Sequence, residues 1–507
     1  MQYDIDYEML SYPKYIKRLN KILNNPDNVY SVEKLENLGY TSCGFPIEHY
    51  KIGKGPIHVT YMGGAHGNEI IGVDFVTQLM QNLSLGKGTF RNFDPAIYTI
   101  DFIPCQNPEG YFTTTYALEQ VMGNMTPQEI EAFSKKYWSY YREDDIKVNK
   151  VNKILNAFVT EFSNAGTKED ITNFFWQKYL NKNITLDSMK EFLNNYYFVN
   201  KNKLDELVDR EWQNNFGEVK EVDNTRYHTQ IFNGVNLDLF PEEYDEAHIN
   251  LKNKLKDMYK DGLFPMGTLA NFFANSDGIN LNDNNPYFYE ITKERIAKYG
   301  NVYAKLRDNH ILKSVNGPIG LPNISMEEDF QYCPENEAVL KSLQKQNDEH
   351  QYAAFFNCHG TWGVLFTYPF DTDNKTKNFN FYINNRIATE YTKQTGRVYE
   401  SLTGKYDPYK ISGHPNVLDD YGLGDELRSK YAASFVLELS KMGGNPIAPY
   451  GDYKGNYVPT MVANFEAMMV TLKTILELRN LYDLNYTVNY NDNGYVNYEV
   501  TSKNTRR

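Results

Sequence analysis

Four short apolar runs, each ending close to a polar or charged residue, constrain the fold of this chain more than any other feature. Runs that are short and almost continuously apolar are typical of strands buried on both faces of a mostly parallel sheet. Helical patterns follow the first run (NEIIGVDFVTQLMQNL) and recur near the C-terminus (TMVANFEAMMVTLKTILELRNL). The sequence therefore predicts an α/β fold, with a mostly parallel mixed central sheet flanked by helices. The four runs are IHVTYM (57–62), AIYTIDFIPC (96–105), YAAFFNC (352–358) and ASFVLEL (433–439).

The candidate functional residues lie where these strands are predicted to end. His66 and Glu69 follow the first run within GGAHGNEIIG (63–72), His359 follows the third run directly, and Glu438 lies inside the fourth. Sites in α/β sheets gather at the carboxyl ends of the strands. We therefore expect these four side chains to meet at one edge of the sheet.

The chemistry that His66, Glu69 and His359 suggest is zinc binding. Residues i and i+3 at the start of a helix share a face, so His66 and Glu69 can converge on one ion. Three protein ligands and one open position are typical of a catalytic zinc site. The His-x-x-Glu spacing is weak evidence alone, because a single histidine at a buried strand end is usually a hydrogen-bonded core residue. It gains weight from the second histidine and from Glu438, since a buried carboxylate is costly without a partner or a role.

Together these motifs resemble the zinc metallocarboxypeptidases of the carboxypeptidase A type. The lead-in GFPIEHYKIGKG (44–55) is also similar to the first strands of that family. The resemblance implies a carboxypeptidase-like fold and one zinc ion per chain, held by His66, Glu69 and His359. It implies that Glu438 is the general base on the zinc-bound water and that Tyr409, in DPYKISG, closes over the substrate. The motifs that carry it are HGNE (66–69), NPEGY (107–111), CHG (358–360) and FVLEL (435–439), in matching order and strand context.

The substrate-binding part of the family pattern is incomplete in this chain. The family grips a terminal carboxylate with an Asn-Arg pair in a motif like GVDLNRNFP. The best counterpart, ANSDGINLNDNNPYF (274–288), has Asn282 but places Asp283 where the arginine would be. A poorer counterpart, TRYHTQIFNGVNLDLFP (225–241), offers Asp238 and Leu239, so neither supplies a guanidinium fork. Arg226 is the candidate for the arginine that stabilises the oxyanion.

This departure leaves several functional hypotheses open. An Asn-Asp pair in this motif resembles the bacterial γ-D-glutamyl-diamino-acid endopeptidases, which cut murein peptides beside diaminopimelate or lysine. We therefore expect a zinc-dependent metallopeptidase, with murein peptides as the favoured substrate class. The alternatives are an ordinary metallocarboxypeptidase that takes its arginine from elsewhere, a small acyl-amino-acid amidohydrolase and a non-catalytic binding module. A complete ligand set together with Glu438 argues against the module.

Residues 112–265 differ in composition from the rest of the chain. They are polar, rich in Asn, Lys and Tyr, and contain helical patterns such as DITNFFWQKYL and SMKEFLNNYYF. Thr126-Pro127-Gln128-Glu129 is a helix start with a capping residue, a first-turn proline and a reaching glutamate. We expect a helical insertion at 112–265 within a catalytic domain formed by 1–111 and 266–507.

Composition limits the partners and the compartment. The chain has 507 residues, 41% of them hydrophobic, and a net charge of −13, which argues against nucleic acid as a partner. The start MQYDIDYEML lacks the features of a secretory signal, and no apolar run is long enough to span a membrane. We therefore expect a cytoplasmic protein with a peptide substrate and no membrane span. The cysteines are scattered and are expected to be reduced thiols: Cys43, Cys105, Cys333 and Cys358.

Overall fold

A computed structural model describes most of the chain. The described residues are 3–6, 11–163, 168–179, 182–197, 199–240, 245–260, 266–299, 311–314, 317–320, 323, 328–350, 352–360, 363–367, 375–396, 398–401, 433–440, 446–447, 450, 456–482, 484–490 and 496–503.

The helices lie along the whole described chain. They are α1 (Tyr12–Leu23), α2 (Ile70–Ser84), α3 (Pro108–Met122), α4 (Pro127–Glu161), α5 (Lys168–Tyr179), α6 (Leu186–Tyr196), α7 (Lys201–Phe216), α8 (Tyr227–Gln230), α9 (Glu246–Lys260), α10 (Pro286–Tyr299), α11 (Pro334–His350), α12 (Lys375–Thr395) and α13 (Val458–Tyr482). Short 3-10 helices span Gly88–Asn92, Leu237–Leu239 and Met266–Asn271.

The strands fall into one large sheet and several two-stranded pairs. The large sheet contains β1 (Val32–Lys34), β4 (Tyr50–Gly53), β5 (Ile57–Gly63), β6 (Tyr98–Ile103), β11 (Tyr352–His359), β12 (Val364–Thr367), β13 (Val398–Ser401) and β14 (Ala433–Glu438). The pairs are β2 (Gly39–Tyr40) with β3 (Pro46–Ile47), β7 (Ile184–Thr185) with β8 (Glu221–Val222), β9 (Ile311–Ser314) with β10 (Gly317–Gly320), and β15 (Leu484–Tyr490) with β16 (Val496–Lys503).

The large sheet is mixed, with a parallel centre. Its strand order is β1-β4-β6-β5-β11-β14-β12-β13. The central strands β6, β5, β11 and β14 are mutually parallel, and β12 is parallel to β13, whereas β1, β4 and β12 meet other neighbours in antiparallel pairs. The predicted mostly parallel, helix-flanked sheet is therefore confirmed. The four apolar runs are its four central strands.

Alternating side chains on these strands form two apolar layers, one on each face of the sheet. On one face the rings of Tyr61, Phe356 and Phe435 stack across β5, β11 and β14, with centroid separations of 4.8 and 4.9 Å. Such pairs contribute about 0.5–1.5 kcal/mol each beyond their buried area. On the other face Met62 and Phe355 pack with Leu343 of α11. The ring stack fixes the register of the three strands, and hence the alignment of their ends.

The helices between 127 and 216 share a hydrophobic cluster of their own. Phe175, Leu193 and Trp212 are buried in it, and it is distinct from the cluster that surrounds the sheet. The predicted capping box at the start of α4 is confirmed, since Thr126 and Glu129 satisfy each other's backbone N–H groups. A cap of this kind stabilises a helix by about 1 kcal/mol.

Two further observations concern the side chains and the helices as a whole. The four cysteines are all buried with free thiols. Within the described part of the chain, none of the helices combines the length and the apolar character that a membrane crossing requires.

Candidate metal centre

The turn between β5 and α2 explains why GGAHGNEIIG contains so many glycines. Gly64 has a φ of +70°, a conformation that side-chain-bearing residues rarely adopt. Gly67 lies so close to the backbone of Gly110 that a Cβ atom would come within 2.2 Å of it. The chain can therefore reverse sharply after the strand and place His66 and Glu69 at the very start of α2.

Strand register brings His359 to the same place. β11 runs parallel to β5 with Cys358 opposite Gly63, so His359 lies just beyond the end of β5. Ligand atoms of His66, Glu69 and His359 all lie within 4.8 Å of one another. Nδ1 of His359 is 2.8 Å from Oε2 of Glu69, and Nδ1 of His66 is 3.2 Å from Oε1. Each of the three residues is at most 5% exposed.

Glu69 is held as a carboxylate. Burial alone would raise its pKa, but the neighbouring His66 and His359 together bring the pKa well below its usual value. The backbone N–H of Gly360 also donates a 3.0 Å hydrogen bond to Oε2. A negative charge is therefore present between the two imidazole rings.

The donor set fits a zinc ion. Both ring nitrogens of His66 are buried, and among the described residues neither makes a hydrogen bond, although Nδ1 lies near Glu69. A buried polar nitrogen without a hydrogen bond is costly, and a coordinated metal removes that cost. Two histidine nitrogens and one carboxylate oxygen are zinc ligands.

Glu438 ends β14 directly beside His359. The two residues are paired across the parallel strands, so their side chains lie on the same face of the sheet. The backbone N–H of Leu439 donates a 3.0 Å hydrogen bond to the carbonyl oxygen of His359. Glu438 is 0% exposed. The structure thus brings a fourth ionisable residue to the edge that carries the three candidate ligands.

Residues 271–273, which no sequence pattern indicated, contact the loop that carries His66. The ring of Phe273 stacks on His66 with a centroid separation of 3.7 Å, and its carbonyl accepts from Gly67. Asn271 accepts a 2.8 Å hydrogen bond from the side chain of Asn68. No periodicity marks this segment, because it is a short 3-10 helix followed by a loop. These contacts hold the His66 ring and the turn that follows it in place.

The same segment continues into the predicted substrate motif. Asn282 is 6% exposed, and among the described residues its Nδ2 group has no hydrogen-bond partner. Asp283 is partly exposed and follows directly in the turn, where its N–H donates to Asn280. Asn336 of α11 donates a 2.7 Å hydrogen bond to the carbonyl of Leu281. Asn336 of α11 therefore anchors the turn that carries Asn282 and Asp283.

The contacts of Arg226 and Asp238 among the described residues are with side chains other than His66, Glu69 and His359. Arg226 lies 4% exposed at the start of α8, with its guanidinium 5.2 Å from the ring centroid of Trp176. Burial lowers its pKa to about 10. Asp238 forms an ion pair with Lys256, and Leu239 is 62% exposed, so the second counterpart motif lies at the surface. Tyr409 lies outside the described residues.

Two buried glutamates anchor the 274–285 turn. Glu109 accepts from the N–H groups of Cys43 and Ser276, at 2.8 and 3.0 Å. Glu335 accepts from the side chain of Asn275 at 3.2 Å. Burial, and next the charge of Glu109, raise the pKa of Glu335 to about 8. Glu335 is therefore largely protonated at neutral pH.

Replacing Glu335 with Gln is expected to flatten the pH dependence of stability. The folded chain holds a proton here that the unfolded chain, with a carboxyl pKa near 4.5, releases. Stability from this group is thus present at low pH and lost as pH rises toward about 8. Relative to wild type, Glu335→Gln should gain about 2–4 kcal/mol between pH 5 and pH 8. Thermal unfolding across this range measures it, with the exposed Glu131→Gln as control; parallel pH profiles for wild type and Glu335→Gln would contradict it.

Comparison with known proteins gives structural neighbours only. No protein-family model and no curated protein matches this chain. Similar solved structures include bovine thrombin-activatable fibrinolysis inhibitor in complex with tick carboxypeptidase inhibitor, with 11% identity, a TM-score of 0.42, and 93% of this chain and 98% of that chain covered. Carboxypeptidase A from Helicoverpa armigera has 10% identity and a TM-score of 0.42, with 94% of this chain and 75% of that chain covered. A metallo-carboxypeptidase from Burkholderia cenocepacia has 11% identity and a TM-score of 0.38, with 92% of this chain and 70% of that chain covered.

Proposed function

We propose that this chain is a zinc-dependent metallopeptidase of the carboxypeptidase type, which hydrolyses a peptide or amide bond. The observation that carries the proposal is the convergence of His66, Glu69 and His359 within 4.8 Å at the end of the central strands. Glu438 lies next to His359 across the strand pair and supplies a buried carboxylate at the same edge. Three ligands and an adjacent base are the components of a hydrolytic zinc site.

The residues of the proposed site have three roles: binding the ion, positioning its ligands and transferring a proton. His66, Glu69 and His359 would hold the ion, and Gly360 and Phe273 fix two of these side chains in place. Zinc in such a site polarises the scissile carbonyl and lowers the pKa of a water molecule toward about 7. Glu438 accepts the proton from the attacking water and then delivers it to the nitrogen of the leaving amine. Burial of Glu438 strengthens its electrostatic interactions with these groups.

The proposed substrate class follows from the charge at the 282–283 turn. A carboxylate at Asp283 repels a terminal carboxylate and attracts an ammonium group. Asn282 beside it offers a buried amide that can hydrogen-bond a substrate. Peptides that contain diaminopimelate or lysine present the required cation, so murein peptides cut next to a diamino acid are the substrates we propose.

One observation favours a second candidate, an ordinary metallocarboxypeptidase. The three guanidinium nitrogens of Arg226 are buried, and none of them has a hydrogen-bond partner among the described residues. A buried arginine of this kind can donate hydrogen bonds to the terminal carboxylate of a substrate. The proposal therefore needs a test that separates the two substrate classes.

An activity panel with the zinc-loaded protein provides this test. Wild type should cleave murein tri- and tetrapeptides and leave hippuryl-type carboxypeptidase substrates nearly untouched. Asp283→Ala should lower kcat/KM for the diamino-acid peptides by at least about 10-fold, since it removes one charge contact, with zinc content unchanged. Asp283→Arg should shift preference toward substrates with a free terminal carboxylate.

Two controls make the panel decisive. Asp257→Ala removes one carboxylate at an exposed position on α9 and should leave every substrate unaffected. Efficient cleavage of hippuryl substrates by wild type, unchanged in Asp283→Ala, would favour the carboxypeptidase instead. In that case Arg226→Ala should raise KM for those substrates.

A further inference from the structure

A polar cavity lies at the opposite end of the sheet from the candidate metal ligands. Its volume is about 890 Å³, within the range of about 300–1,000 Å³ that is usual for small-molecule sites. It opens between β4, β5 and β6 on one side and α11 on the other. The residues that line it are Leu35, Glu36, Asn37, Leu38, His49, Lys51, Gly53, Lys54, Gly55, Pro56, His58, Thr99, Asp101, Ala338, Lys341, Ser342 and Lys345.

The floor of this cavity is an unusual sheet face. Strands in the parallel centre of a sheet are normally apolar on both faces. Here His58 is opposite Thr99, and Thr60 is opposite Asp101, in the register of β5 with β6. Each of these four residues is at most 8% exposed. Toward the carboxyl end of β5 a hydrophobic layer covers this face, where Met62 packs with α11.

A histidine pair flanks a buried carboxylate on that floor. Nε2 of His49 lies 3.1 Å from Oδ1 of Asp101, and Nδ1 of His58 lies 3.4 Å from Oδ2. Burial would raise the pKa of Asp101, but its contacts with His49 and His58 lower it overall. Asp101 is therefore ionised, and both rings donate to it. This arrangement holds the two imidazoles in fixed orientations at the cavity wall.

Lysines surround the mouth of the cavity. Lys51 and Lys54 come from β4 and the turn after it, and Lys341 and Lys345 come from α11. The spacing of four places Lys341 and Lys345 on one face of the helix. Among the lining residues four lysines accompany only two carboxylates, Glu36 and Asp101, so the lining is positive. A positive lining is notable in a chain with a net charge of −13.

Two of these lysines form no ion pair with a carboxylate of the described residues. Lys51 pairs with Glu33 at 3.3 Å, and Lys341 pairs with Glu337 at 2.5 Å. Among the described residues, no carboxylate forms an ion pair with Lys54 or Lys345. These two ammonium groups are the cations that remain for a ligand.

The cavity is separate from the metal centre. His58 lies near the start of β5, whereas His66 follows its end at Gly63. Gly63 lies five positions after His58 along the strand, which corresponds to about 16 Å. A ligand in the cavity therefore contacts a different group of residues from a substrate at the metal.

We propose that this cavity binds a small molecule that carries two or more phosphate or carboxylate groups. Lysine ammonium groups bind such anions as point charges, and the fixed histidine rings and Ser342 offer polar contacts deeper in the wall. The positions of Lys54 and Lys345 on opposite sides of the mouth favour a ligand with two separated anionic groups over a single anion.

Isothermal titration calorimetry on the zinc-loaded protein tests this proposal. The probes are fructose 1,6-bisphosphate for phosphate and tricarballylate for carboxylate, with glucose as the uncharged control. At least one anionic probe should bind once per chain with a Kd below about 1 mM at low salt. Binding should weaken at least several-fold as salt rises from about 0.05 to 0.2 M.

Paired substitutions locate the binding. The double variant Lys54→Ala with Lys345→Ala removes two exposed charges and should weaken binding at least about 10-fold. The matched double variant Lys260→Ala with Lys473→Ala removes two exposed charges elsewhere and should change the Kd by less than about twofold. Binding that is equal in both double variants, or absent for both anionic probes in wild type, would overturn the proposal.

Discussion

Replacing Glu438 with Gln should leave zinc bound and lower turnover by at least about 100-fold. Gln has nearly the shape of Glu but cannot accept a proton from water at neutral pH. Glu438 lies at the end of β14, paired with His359 across the parallel strands, and is fully buried. The three candidate ligands do not include it. Its removal should therefore affect proton transfer and not metal affinity.

The experiment combines two measurements on one preparation. Elemental analysis gives the zinc content per chain, and steady-state kinetics on the best substrate of the panel gives kcat. The exposed Glu131→Gln on α4 is the control for a Glu-to-Gln change as such and should match wild type in both. Near-normal turnover in Glu438→Gln would mean that another group activates the water, and loss of zinc would mean that Glu438 supports the metal.

The central sheet could be predicted from the sequence because its strands are buried on both faces. Burial of that kind requires continuous apolar runs, and the runs at 57–62, 96–105, 352–358 and 433–439 became the four central strands. The helices next to them were predictable for the related reason that an amphipathic pattern needs a core-facing side. In contrast, strands such as β2 and β7 contain two residues each, too few for any periodicity.

The site was only partly predictable, since its parts depend on different kinds of signal. His66, Glu69 and His359 lie at strand ends, where the positions of the runs already imply convergence. The stacking of Phe273 on His66 depends on a loop that returns from more than 200 positions later in the chain. The electrostatic effect of Glu109 on the pKa of Glu335 also acts between residues more than 200 positions apart. Contacts of that range leave no local pattern.

The polar sheet face beneath the cavity was not predicted, although the strands that form it were. AIYTIDFIPC reads as an apolar strand, and it is one, yet it carries Thr99 and Asp101 on a single face. Their partners His58 and Thr60 belong to another run that also reads as apolar. Only the register of β5 against β6 reveals that the polar positions coincide. Polar residues of two buried strands can therefore form one polar face that the sequence of neither strand indicates alone.

Removing a metal ligand should have the largest effect on this protein. Wild type should contain one zinc ion per chain, and His359→Ala should lose it together with at least about 1,000-fold of the activity, since the metal contributes several kcal/mol to catalysis. His359 is fully buried between Glu69 and the strand end, so alanine leaves a gap in the ligand set that water fills poorly. Chelation of wild type should produce the same loss, and added zinc should restore activity in wild type alone.

Metal content also separates a binding role from a structural one. His58→Gln alters a buried histidine on the neighbouring strand, about 16 Å along the sheet from the metal end, and should retain zinc. Zinc should raise the thermal midpoint of wild type and of His58→Gln but not that of His359→Ala, because only a protein with the ligands assembled gains stability from the ion. One zinc ion retained per chain in His359→Ala would show that other residues hold the ion. The assignment of His66, Glu69 and His359 would then fall, and the proposed hydrolytic function with it.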